Sequence, residues 1–324
     1  MVILYETFLV ASYTLLVLWR RSEVLVLFSI AFVVASLLLR LEIDIQSLRD
    51  FTPYFSSFQR VKYDDIPPGL WIEPYRLLLF EFVILFGDFD DITQITAIYY
   101  IHFAIVTLFF LWLAWLRDVA FEIKLLIFLA FYPGIAFVWL RSGMAYVAAG
   151  YLLYTFSRGR TAFFHYLLPA FHSSTLVLLV ATKTQDLRLI YKIVSILIVF
   201  GLIYALTDTA YGQYVLFKLD RYNSTGDLRA STSLLLFHAA NLLTVLYLAL
   251  VNQRFRKNYA IRVLVAIYFF SYLSNPIMAL RIFPFVLIIA MADRSSHSRY
   301  PFLSIIVISV FFIVYFARFN QIFL

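Results

Sequence analysis

Two arginines carry the first chemical signal. Arg141 stands in FYPGIAFVWLRSGMAYVAAG between two long apolar stretches, and Arg281 stands in NPIMALRIFPF, just ahead of Pro284. A guanidinium in such surroundings snorkels to a headgroup layer, pairs with an acid, or holds an anion. After Arg141 come Ser142, Gly143, Ala145, Ala149 and Gly150. Small residues at that spacing let helix backbones approach closely, and a tightly packed helix start is a poor place for a snorkelling chain. A guanidinium fixed there suits a phosphate, which it grips fork to fork. Arg281 has no acid at a helical spacing beside it. An anion is its expected partner.

His172, in PAFHSSTLVLL, is the next candidate. A neutral imidazole is available as a base at pH 7, or it closes a hydrogen bond between helices. Ser173, Ser174 and Thr175 offer local partners. His102 and His238 read as satisfied core histidines. Asp50 and Tyr54 are spaced i,i+4 and share a helical face. Glu73 precedes Pro74, which suits the first turn of a helix. That glutamate either caps the helix or faces a cavity as a base or sugar ligand. Further on, Tyr211, Tyr214, Lys218, Arg221, Tyr222 and Arg229 interleave cations with rings. Such a mixture suits sugar stacking and diphosphate binding, and equally an interfacial belt. FGDFDDI contains a DxD at Asp88-Phe89-Asp90, but acids ahead of an apolar run read as a helix N-cap. The chain has no HExxH, P-loop or GxGxxG, so neither a metal nor a nucleotide cofactor is expected.

The elements that must position these residues follow from composition. The 324 residues are 63% hydrophobic and only 14% charged. Soluble domains carry roughly a quarter charged residues. With apolar runs recurring along the chain, the expectation is an all-α, polytopic helical membrane protein, a single membrane domain over 1–324. The start, MVILYETFLVASYTLLVLWRR, has no basic leading region, and its Arg20 and Arg21 follow the apolar run, so it reads as a retained first helix. The net charge of +7 is scattered at helix ends and points to headgroups rather than to nucleic acid. The absence of cysteine removes thiol catalysis and disulfides.

Apolar runs predict helices near 2–19, 22–40, 74–86, 95–116, 123–140, 143–157, 161–182, 189–206, 232–251, 261–273, 277–292 and 301–317. That is about 11–12 transmembrane helices. The connections at 41–72 and 207–231 are the most polar, and both are expected to be extracytoplasmic. RR at 20–21 and RFRK at 254–257 are cytoplasmic signals. RGR at 158–160 should share that side, yet simple alternation puts it outside. The conflict is resolved if a segment in each half enters the membrane and leaves on the same side. The run 161–182, interrupted by Pro169 just before Phe171-His172, is the candidate. Broken helices at membrane depth are tolerated where they line a cavity. Under either topology Arg141 and His172 lie at similar depth.

Five segments taken in order, DFTPYFSSF, IEPYRLLLFEF, LRSGMAYVAAGYLLY, AFHSSTLVLL and ALRIFPF, resemble the EpsG-like, Wzy-type polysaccharide polymerases. The resemblance spans about residues 44–290. Ser142 stands where that family usually has glutamine, and Thr175 where it has alanine. The resemblance implies a GT-C-like glycosyltransferase architecture at the outer face of the bacterial inner membrane. It implies a metal-independent enzyme that moves a glycan from one undecaprenyl diphosphate onto a second undecaprenyl-diphosphate-linked oligosaccharide. The bilayer and a chain-length regulator protein are its implied partners, and no nucleic acid is. Arg141, Arg281 and Arg221 would stabilise the departing diphosphate. His172, Glu73 and Asp50 are the candidates for base. Tyr54, Ser142, Tyr211 and Tyr222 would hold sugar. A lipid-linked glycan ligase needs the same cationic cradle. A transporter or flippase also uses broken helices and buried cations. The first would attach glycan once, and the second would form no glycosidic bond.

Overall fold

Helix starts and stops follow local chemistry that the sequence spells out. The structure is a computed structural model, and it describes residues 1–19, 22–48, 50–71, 74–87, 89–160, 163–172, 174–184, 232–274, 276–293 and 301–323. The first helices are α1 (Val2–Leu18), α2 (Ser22–Glu42), α3 (Phe51–Lys62), α4 (Pro68–Trp71) and α5 (Pro74–Leu85). Gly87, at φ +144, ends the run after α5 in a conformation that only glycine adopts freely. Asp90 then caps α6 (Asp91–Trp115): its carboxylate accepts Thr93 N–H at 2.9 Å and the Thr93 hydroxyl at 2.5 Å. The acids of FGDFDDI therefore include a helix cap, as their position predicts.

A central helical hairpin follows, α7 (Phe121–Phe137) and α8 (Leu140–Phe156). Lys124 Nζ reaches back to the carbonyls of Ala114, at 2.8 Å, and Leu116, closing the end of α6 with a cation. α7 is apolar all round, and every residue from Glu122 to Phe137 is buried. A helix of that kind belongs inside a bundle. It is surrounded by α1, α6, α8 and two late helices, α13 (Pro276–Ala292) and α14 (Pro301–Phe323). An aromatic column ties them: Tyr13 stacks on Phe128 at 4.0 Å, Phe128 on Tyr132 at 5.0 Å, and Phe110 meets Tyr132 edge-on at 4.9 Å. α8 answers with its small face. A β-carbon on Gly150 would stand 2.7 Å from the Phe109 ring, and one on Gly143 3.0 Å from His102. The close approach expected from that pattern is present.

After α8 the chain makes a second, shorter hairpin. A 3-10 segment (Phe164–Ala170) leads to Phe171-His172, and α9 (Thr175–Lys183) returns. Its two ends meet: the His165 ring lies 4.3 Å from Phe156, and Lys183 Nζ lies 5.1 Å from Phe156 and 4.5 Å from Tyr166. The break falls where Pro169 predicts it. Beyond the undescribed stretch come α10 (Thr232–Val251), the short α11 (Gln253–Lys257) and α12 (Tyr259–Ser274). α12 packs against α9 and α13, and α10 against α14.

Among the described residues every regular element is helical, and three helices are long and apolar enough to cross a membrane: Glu23–Glu42, Asp91–Trp115 and Leu234–Val251. The other apolar runs make shorter helices, among them Val2–Leu18 and Ala279–Ala292. The eleven to twelve crossings expected from apolar runs are therefore not all matched by length. An apolar run reports removal from water, and in α7 the surroundings are protein. The connection 41–72, read as a loop, contains α3. The connection 207–231 and the helix expected at 189–206 lie outside the described residues.

Candidate functional site

The α7–α8 hairpin turns inside the bundle. α6 and α7 run antiparallel, with the Thr107 and Tyr132 hydroxyls 3.1 Å apart and His102 Nε2 2.6 Å from the Ile135 carbonyl. The turn at Val138-Trp139 thus lies level with His102 and Phe103, whose ring is 5.6 Å from Phe137. α6 continues to Asp91, about 16 Å further at 1.5 Å per residue. Arg141, second residue of α8, starts in the layer between that turn and the start of α6. For Arg141 only the backbone is described.

The turn is held by groups that no spacing rule singled out. Gly134 O accepts Val138 N–H at 3.1 Å and Trp139 N–H at 2.7 Å, with the Trp139 ring laid over Gly134. Arg40, only 1% exposed, donates from Nη1 to Phe137 O at 3.3 Å and from Nη2 to Ile43 O at 3.4 Å. Its guanidinium lies 5.7 Å from the Tyr100 ring. A cation at the end of α7 complements the helix dipole and satisfies a carbonyl. In sequence Arg40 looked like one more helix-end residue. Only packing reveals that it points inward.

Over this layer sit α3 and α5. Phe58 and Phe80 meet edge-on at 5.6 Å, and Phe51 stacks on Tyr99 at 6.4 Å. Lys62 Nζ bonds Asp91 Oδ1 at 2.7 Å and Gln94 Oε1 at 2.9 Å, pinning α3 to the start of α6. Asp50 is the N-cap residue of α3, and its carbonyl accepts Tyr54 N–H at 3.3 Å. Tyr54 is buried, with the Arg76 guanidinium 5.8 Å from its ring. Asp50 and Tyr54 therefore share one turn, as their spacing predicts. Arg76, in EPYRLLL, and the buried Tyr99 join them unforeseen.

The second hairpin brings His172 to the same region. Tyr75 at the start of α5 lies 5.5 Å from Phe171. His172 is 4% exposed, and its Nδ1 accepts Ser174 N–H at 3.0 Å. A backbone N–H can only donate, so the neutral ring carries its proton on Nε2. His172 thus offers a donor at Nε2. Its carbonyl accepts the Thr175 hydroxyl at 2.8 Å. On α13, Arg281 is half-buried, and its carbonyl accepts the Tyr146 hydroxyl at 3.1 Å. Tyr146 lies five residues below Arg141, about 7.5 Å along α8. Ser142 is half-buried beside Arg141. His102 and His238 prove to be core residues, bonded to Ile135 O and, at 2.6 Å, to the Tyr268 hydroxyl. Glu73, Arg221, Tyr211 and Tyr222 lie outside the described residues.

The opposite end of the bundle is basic. Arg158 ties the α6–α7 connection to the ends of α8 and α13, bonding Asp118 Oδ2 at 2.9 Å, Tyr154 O at 3.1 Å and Ala292 O at 3.3 Å. Asn258 Nδ2 bonds Asp293 Oδ2 at 3.3 Å, which brings the 254–257 cluster to the same end. Burial works against the Asp118 carboxylate, yet hydrogen bonds from Tyr154 and Arg158 hold its pKa below the usual value.

No family model matches this chain, and no curated protein or solved structure is detectably similar to it.

Proposed function

We propose that the chain is a GT-C-like, Wzy-type polymerase that joins undecaprenyl-diphosphate-linked oligosaccharides at the outer face of a bacterial inner membrane. One observation carries this reading: the α7–α8 turn lies inside the bundle, about 16 Å short of the far end of α6, and the Phe171-His172 tip meets Tyr75 at the start of α5. Two hairpins that enter and leave on the basic side would leave the layer above their tips facing the other side. The basic side is the cytoplasmic one.

In this reading Arg141 and Arg281 hold the diphosphate, and the Nε2–H of His172 adds a donor to it. The acceptor hydroxyl attacks the anomeric carbon of the donor glycan. The bond between that carbon and the diphosphate oxygen breaks, and the charge passes to the diphosphate. Fixed donors in a water-poor site stabilise that charge more than water would. Asp50 takes the acceptor's proton. Tyr54, Ser142 and the Arg76-backed face of α3 hold sugar.

The test uses purified full chain with a lipid-linked repeat unit. A ladder of products is expected. Arg141→Ala and Arg281→Ala should each reduce it at least a hundredfold, the scale of losing one transition-state donor, while expression and melting stay unchanged. A single added unit would make the chain a ligase, and movement of lipid without bond formation would make it a carrier. Arg141→Lys should also fail, because a point charge does not reproduce fork geometry.

A further inference from the structure

At the basic end an open hollow of about 430 Å³ is lined by Arg117, Asp118, Tyr154, Arg158 and Arg160. Its floor is fixed. The Arg158 side chain is only 8% exposed, and its guanidinium lies 3.4 Å over the Tyr154 ring. The Tyr154 hydroxyl donates to Asp118 Oδ1 at 2.7 Å, and Arg158 Nε and Nη2 both donate to Asp118 Oδ2. Both oxygens of the one acid in the hollow are therefore engaged, and its charge is balanced by Arg158. Arg117 and Arg160 are exposed, and neither guanidinium has a partner among the described residues. Two positive charges face the opening.

Aromatic rings adjoin its Tyr154 wall. Trp112 meets Tyr154 edge-on at 5.1 Å and Tyr151 at 5.3 Å. Tyr151 is 48% exposed, and Trp115, the last residue of a helix long enough to span, is 52% exposed. Amphipathic rings beside cations at the end of a span mark headgroup level. A soluble anion would need the cations but not the rings. A phospholipid uses both, its phosphate on the guanidiniums and its acyl chains along the rings.

We propose that this hollow binds the phosphate of an anionic phospholipid, held by Arg117 and Arg160 above the Arg158–Asp118–Tyr154 floor. It lies at the end of the bundle away from the glycan site and does not depend on that reading. The test is native mass spectrometry of the detergent-solubilised full chain titrated with phosphatidylglycerol and, separately, phosphatidylcholine. The first phosphatidylglycerol should bind more tightly than phosphatidylcholine. Arg117→Gln and Arg160→Gln should each weaken it about fivefold, and the double variant should show no preference. Arg256→Gln/Lys257→Gln removes the same charge elsewhere on this end and should keep the preference. Equal retention of the two lipids by the unaltered chain, a preference that survives in Arg117→Gln/Arg160→Gln, or one lost equally in Arg256→Gln/Lys257→Gln overturns the site. Displacement of the tight lipid by inorganic phosphate would assign the hollow to a soluble anion and overturn the lipid.

Discussion

At the residue scale, side-chain type says less than what the side chain touches. Arg40 and Arg141 are both arginines in apolar sequence, yet Arg40 serves the fold, closing the end of α7 through Phe137 O. Arg40→Ala leaves a cavity and unsatisfied carbonyls. It should lower stability by about 2–4 kcal/mol, read as a lower melting temperature in detergent. Arg40→Lys should recover part of the loss. His172 is similarly decided by one contact, because Ser174 N–H fixes its tautomer. No sequence rule supplies that. Asp118 gives a pH prediction. Its carboxyl is held below the ordinary range, so its contribution is complete above the unfolded carboxylate value and fades as pH falls through the folded one. The pair is open to water on the Asp118 side. Asp118→Asn should therefore cost no more than about 1 kcal/mol at neutral pH. Melting curves should show the variant and the unaltered chain converging below about pH 4.

At the element scale, periodicity reads well where a helix has two different faces. The buried residues of α3, Phe51, Tyr54, Phe58 and Val61, repeat at helical spacing inside the connection 41–72, of which only the Asp50–Tyr54 turn reads as helical from spacing. That signal was present in DFTPYFSSF and outweighed by the charges around it. The hairpin break at Pro169 and the small face of α8 were legible because proline and glycine act through backbone geometry. The small face can be tested. Gly150→Val would drive a side chain into Phe109. It should destabilise by about 1–3 kcal/mol, measured by thermal melting, whereas Gly159→Ala meets no atom within 4 Å and should cost only the backbone strain of its φ of +73, about 1 kcal/mol.

At the scale of the whole molecule, the orientation is open to a clean experiment because the chain has no cysteine. Ser56 on α3 and Arg256 on α11 are both exposed and lie at opposite ends of the bundle. In intact cells a membrane-impermeant thiol reagent should label Ser56→Cys. Arg256→Cys should react only after permeabilisation. The reverse pattern would turn the molecule over and remove the outward-facing site. Sequence by itself determined that this chain is helical and lipid-embedded, since so few charges and such long apolar runs leave no other way to satisfy the backbone away from water. The break at Pro169 was legible in it too, as were the residues proposed above to carry chemistry. The folded arrangement alone settled which apolar helices are enclosed by protein, as α7 is, that Arg40 closes the end of α7, and that Tyr54, Arg76 and Tyr75 neighbour the Phe171-His172 tip. Those depend on contacts between residues far apart in the chain, and hydrophobic pattern records only that a residue leaves water, not what it meets.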